Sequence, residues 1–174
     1  KEYPIRNEHG GASISGFCES RNHEIIISVW NGRVYHLDKE KDEFIPYPDK
    51  MRSRNPTVMV QDNEQDYFWL ATWGDGVVRF DPSAPGDSMF VYSEIPVNAA
   101  GEEDGLILSL AQDDKLGYIW LTTGHDFMAL QIQPDRTLKQ LKFPAGLLPV
   151  NHMLVEVLKG KECLWVSAFD RPSF

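Results

Sequence analysis

The chain has 174 residues, 42% hydrophobic and 11% aromatic, with 17 Lys and Arg against 26 Asp and Glu, a formal net charge of −9. That length suits one domain or part of a larger one, and an acidic chain with scattered cations lacks the basic stripe that nucleic acid or an anionic membrane requires. No apolar run approaches the roughly 20 residues that cross a bilayer, and Cys18 and Cys163 are too few for a disulfide framework.

In chain order, residues 1–12 read as an outer strand over Glu2–Ile5 and a linker. A four-strand unit follows. Ser13–Glu19 alternates as a strand, Ser20-Arg21-Asn22-His23 turns, and Ile26-Ile27-Ser28-Val29-Trp30 returns. Asn31-Gly32 then gives a strong hairpin signal, leading to Arg33–Asp38 and Phe44–Tyr47. The second unit runs Thr57–Asp62, Trp69-Leu70-Ala71-Thr72-Trp73, the turn Gly74-Asp75-Gly76, Val77–Asp81 and Met89–Tyr92. The third runs Leu106–Asp113, Trp120-Leu121-Thr122-Thr123-Gly124, Phe127–Ile132 and Leu138–Phe143. A fourth begins with His152–Leu158 and Trp165-Val166-Ser167-Ala168-Phe169.

Two markers keep these units in phase. The second strands start at Ile26, Trp69, Trp120 and Trp165, and seven residues separate Glu19 from Ile26, Asp62 from Trp69, and Asp113 from Trp120. Outer strands end in an apolar residue and proline: Tyr3-Pro4, Tyr47-Pro48, Ile95-Pro96 and Phe143-Pro144. Proline cannot donate to a ladder, so it suits the end of an edge strand. A period of roughly 40–50 residues filled with short strands is the signature of a β-propeller. The predicted class is therefore all-β, with propeller blades of four antiparallel strands. The blades span residues 13–48, 55–96 and 106–144, with a partial blade at 150–174. Two arrangements fit: a small four-bladed ring with interlocked ends, or an incomplete excerpt of about 3.5–4 blades from a larger propeller. The excerpt is favoured, because one terminal strand would leave the fourth blade short.

These units resemble the two-component regulator propeller repeat. The resemblance is carried by Val60-Gln61-Asp62, Phe68-Trp69-Leu70-Ala71-Thr72-Trp73-Gly74-Asp75-Gly76 and Val77-Val78-Arg79-Phe80-Asp81-Pro82. The unit from Ala111-Gln112-Asp113 to Gly124 is similar, with His125-Asp126 where the second glycine falls. The first unit has Ile26 in place of Trp, and the last has Phe169-Asp170-Arg171 in place of the glycine turn. The resemblance implies the periplasmic sensor region of hybrid histidine kinases, abundant in glycan-degrading gut bacteria. It implies a segment that senses or scaffolds and does not itself phosphorylate. No phosphoacceptor helix or ATP lid is legible in this chain.

Trp69, Trp120 and Trp165 are expected to pack between blades, since large aromatics dominate such interiors. Trp30, Trp73 and Phe169 stand one step before a turn, at a rim where packing and ligand contact are both open. Beside them lie Asn31, Arg33, Asp75, Arg79, His125, Asp126, Asp170 and Arg171, planar polar groups of the kind that pair with sugar hydroxyls. Plain hairpin chemistry accounts for the same residues. Asp62 and Asp113 are expected to accept turn amides. His9, His23, His36, His125 and His152 have no metal-like spacing, so no metal or cofactor is expected, and no catalytic motif appears. The leading expectation is oligosaccharide sensing. The alternatives are a protein-interaction scaffold, contacting further blades or a second copy, and a lyase-like propeller enzyme. No nucleic-acid or direct membrane contact is expected.

Overall fold

A computed structural model describes residues 2–3, 5, 13–30, 33–48, 51–52, 55–98, 100–124, 126–141, 150–158 and 161–168. The first sheet is β1 (Ile14–Glu19), β2 (Ile25–Val29), β3 (Val34–Asp38) and β4 (Glu43–Pro46). The second is β5 (Pro56–Gln61), β6 (Phe68–Thr72), β7 (Val77–Phe80) and β8 (Phe90–Tyr92), with a 3₁₀ turn at Gly86–Ser88 before β8. The third is β9 (Ile107–Asp113), β10 (Tyr118–Thr123), β11 (Phe127–Ile132) and β12 (Leu138–Gln140). In each, the strands pair antiparallel in chain order. A two-stranded sheet of β13 (Val150–Leu158) and β14 (Lys161–Ala168) follows. This is the all-β, incomplete propeller that the repeat pattern predicts.

The innermost strands β1, β5, β9 and β13 contact one another in sequence, so the sheets stack around a common side. Where the first strand of each sheet meets the end of the second, the register shifts: at Ile14/Gly16, Pro56/Val58, Thr122/Thr123 and Val150/His152. A bulge at the same place in all four sheets bends the inner strand alike each time. The outer strands β4, β8 and β12 are only three or four residues long, a length that blunts an edge. Tyr47-Pro48 directly follows β4, whereas β8 ends at Tyr92, so Ile95-Pro96 lies beyond the strand in the link to blade 3 rather than at its end; Pro4, Phe143 and Pro144 lie outside the described residues. Glu2, Tyr3 and Ile5, where the sequence suggests an outer strand, stand outside the sheets. Tyr3 packs edge-on against Phe44 and donates its hydroxyl to Asp42 at 2.8 Å.

Period-two alternation decides what each blade faces. In β6, Phe68 and Leu70 point to blade 1, joining Ile26, Val34, Met59 and Phe80 in one buried cluster. Trp69 and Ala71 point the other way, joining Ile107, Leu110, Ile119, Leu121 and Met128 of blade 3. Ile27, Val29 and Tyr35 form a third cluster on the far side of blade 1, covered by Ile5 and Phe44. No blade buries both faces alone, so packing between blades supplies the core.

Candidate functional site

Antiparallel order sends the connections to two opposite faces. The first-to-second and third-to-fourth strand turns share the lower face. The second-to-third turns and the links between blades share the upper.

The upper face carries the aromatic rim. Trp73 follows β6 and is 51% exposed. Its ring meets Trp30, at the end of β2, with centroids 5.2 Å apart and planes at 63°. The backbone fixes both positions: Trp30 N–H donates to Ser13 O and Trp73 N–H to Asn55 O, each at 2.8 Å. Beside them, Asp75 lies 3.5 Å from an Arg52 guanidinium nitrogen. Arg52 in turn sits 4.2 Å over the Tyr92 ring, and its backbone N–H donates to the Tyr92 hydroxyl. An exposed pair of this kind contributes little stability, which leaves its polar groups available to a ligand. Arg52 and Tyr92 join the candidate site without any signal in the sequence. They come from the link 47–55 and the outer strand, and neither carries a motif.

Turn chemistry shapes the rim. Buried Thr72 donates its hydroxyl to Gly76 O at 2.8 Å and accepts from Asp75 N–H at 3.1 Å, with Gly76 at a φ of 70°. Thr123 repeats the device in blade 3, accepting from Asp126 N–H at 2.9 Å and donating to buried Asp104 at 2.5 Å. The link into blade 3 closes over the blade 2 turn: Gly74 N–H donates to Gly105 O at 2.8 Å. A Cβ on Gly105 would stand 2.5 Å from Gly74 O, so only glycine fits there.

Trp30, Trp73 and Asp75 thus come together, and Asp126 occupies the matching place in blade 3. Arg33 stands on the same face, half-buried, its carbonyl accepting from Val29 N–H at 3.2 Å. Arg79 does not join them. It pairs with Trp69 in the ladder and lies over the Tyr67 ring at 5.4 Å, toward the lower face. Asn31, His125, Phe169, Asp170 and Arg171 lie outside the described residues.

The lower face explains the seven-residue step. Asp62 Oδ1 accepts from Glu64 N–H and Gln65 N–H, both at 2.9 Å, as an Asx-type turn. Its Oδ2 accepts from the Trp69 indole at 2.9 Å and from Gln112 of blade 3 at 3.3 Å, with Arg136 at 3.9 Å. Asp113 repeats the pattern with Leu116 N–H at 3.0 Å and the Trp120 indole at 3.1 Å. Trp69 is buried, and Trp120 is half-buried and stacked on Phe127. Trp165, at the equivalent position, is 47% exposed. Among the described residues no cluster of three metal-ligating side chains occurs, and no helix is long and apolar enough to cross a membrane.

No protein-family model matches the chain, and no curated protein does. Solved structures do. The extracellular domain of BT4673 from B. thetaiotaomicron, described as a hybrid two-component system, aligns over 95% of this chain at a TM-score of 0.66 and 13% identity. The extracellular domain of BT3049 from the same organism, described likewise, aligns over 95% at 0.62 and 20% identity. PorZ, a bacterial surface component of the type-IX secretion system of Porphyromonas gingivalis, aligns over 90% at 0.63 and 16% identity. The chain spans 21%, 22% and 25% of those three structures. It shares its fold with these structures, among them the extracellular domains of two hybrid two-component systems, as the resemblance to two-component regulator propeller repeats implied.

Proposed function

We propose that this chain is a ligand-sensing propeller segment in the extracytoplasmic, periplasmic part of a hybrid two-component sensor, with an oligosaccharide as ligand. The observation that carries the reading is Trp73. A half-exposed indole braced by a second indole and flanked by the Arg52–Asp75 pair is a stacking platform with planar hydrogen-bonding groups beside it. The rim stands on turns held by buried threonines, so it is preformed, and binding residues concentrate on loops of rigid scaffolds. The shared fold with extracellular domains of hybrid two-component systems supports the setting. In this reading the segment has no catalytic role and couples binding to rearrangement of a kinase elsewhere in the protein.

Thermal-shift titration of the full-length protein against an oligosaccharide panel tests it. One oligosaccharide should raise the melting temperature, and Trp73→Ala should abolish the shift. A panel without effect, together with a stable dimer in solution, would favour the interaction scaffold. That second reading draws on the exposed apolar residues Ile14 and Phe17 of β1. Turnover of any oligosaccharide would oppose both.

A further inference from the structure

The lower face holds a second candidate site, between blades 1 and 2, and its origin is a departure from the repeat. Strand register makes Ile26, Trp69 and Trp120 equivalent, for they pair with His36, Arg79 and Ala129. Two residues upstream, Glu24 occupies the place of Tyr67 and Tyr118. Between blades 2 and 3, Tyr67 and Trp69 are both buried and meet edge to face at 5.2 Å, filling the interface beneath Gln112 and Arg136. Blade 1 supplies neither aromatic. What stands there instead is an open cleft of about 390 Å³.

The cleft's size and chemistry point to one class of occupant. A cavity of roughly 150 Å³ already admits benzene, so a bicyclic ring fits with room for a polar tail. Ile26 and Phe68 form the apolar floor, and Tyr47 lies against His36 with ring centroids 5.0 Å apart. Around them are the carboxylates of Glu24 and Asp66 and the guanidinium of Arg21. Arg21 is committed, donating to Asp62 O at 2.9 Å and pairing with Asp66 at 3.7 Å. The Glu24 carboxylate and the Tyr47 hydroxyl have no hydrogen-bond partner among the described residues, and both can accept a proton donor. In blades 2 and 3 the indole N–H finds its acceptor in the aspartate seven residues upstream.

We propose that this cleft binds a small aromatic ligand bearing an N–H donor, an indole or aryl-alkyl amine, seated where the repeat elsewhere places its own tryptophan. The ring rests on Ile26 and Phe68, and the donor or ammonium faces Glu24. The site is independent of the upper rim.

Calorimetric titration of the full-length protein with indole and with tryptamine tests the proposal. Both should bind saturably, with tryptamine several-fold tighter because its ammonium meets Glu24. Ile26→Trp supplies the missing plug and should abolish binding of both. Glu24→Gln should remove the tryptamine advantage while indole still binds, and Trp73→Ala should change neither. Should Ile26→Trp fail to fold, Glu24→Tyr restores the repeat's other aromatic and should block the cleft instead. Absence of saturable binding by the unaltered protein overturns the proposal. So does binding that persists in a folded plugged variant, or saturation by a hexose with none by indole.

Discussion

Asp62 is buried in a region where an unpaired carboxylate would cost several kcal/mol. It stays because two backbone amides, the Trp69 indole and the Gln112 carboxamide all donate to it, with Arg136 close by. Asp62→Ala therefore removes a turn cap, an indole anchor and a link to blade 3 together, and should lower stability by about 2–4 kcal/mol. Asp113→Ala should cost less, since its indole partner is only half-buried. Urea melts of the two variants check this, and equal losses would contradict it. Tyr47 and Tyr67 give a pH dependence. Burial pushes both phenols up to about 12, helped by Glu24 near Tyr47 and by Asp62 near Tyr67. The unfolded chain ionises its tyrosines near pH 10 while these two stay protonated in the fold. Stability is thus full below pH 10 and falls between pH 10 and 12, by about 1–2 kcal/mol per tyrosine. Denaturant melts across that range should show the fall, shallower in Tyr47→Phe; a flat profile would contradict the assignment.

Turns, more than strands, set the upper rim. Gly105 has backbone pressed against it, where the link into blade 3 passes the blade 2 hairpin. Gly105→Ala should cost about 2–3 kcal/mol, because a backbone oxygen cannot yield as a flexible side chain can. Gly86→Ala meets nothing within 4 Å and carries only the strain of its φ of 55°, about 1 kcal/mol. Thermal melts that reverse this order would contradict the geometry. The strands and their order were legible from alternation, the Asn-Gly and Gly-Asp-Gly turns and the proline markers. The seven-residue step from aspartate to tryptophan was legible as a spacing. Its cause was not, because an indole reaching back to a carboxylate depends on rotamer and sheet register. Arg52 was illegible for another reason: it reaches Asp75 through the path of the link 47–55, which local pattern does not specify. Arg79 follows a hairpin glycine in sequence, yet the strand carries it toward the opposite face.

Across the whole molecule, the repeat is a device for burying one blade against the next, and its departures coincide with the two candidate sites. Where blades 2 and 3 meet, Tyr67 and Trp69 fill the interface; where blades 1 and 2 meet, Glu24 and Ile26 leave a cleft. At the rim, Trp30 and Trp73 have left the core and face solvent in part. The five tryptophans thus divide into a buried anchor (Trp69), a stacked half-buried copy (Trp120), an exposed copy at the repeat position (Trp165) and the rim pair. That division makes one measurement decisive: the indole N–H resonances of the full-length protein, followed while the stabilising oligosaccharide is titrated in. The Trp30 and Trp73 signals should move together and saturate, while those of Trp69 and Trp120, held by Asp62 and Asp113, stay in place. Unmoved rim signals, or shifts confined to Trp69 and Trp120, would contradict it.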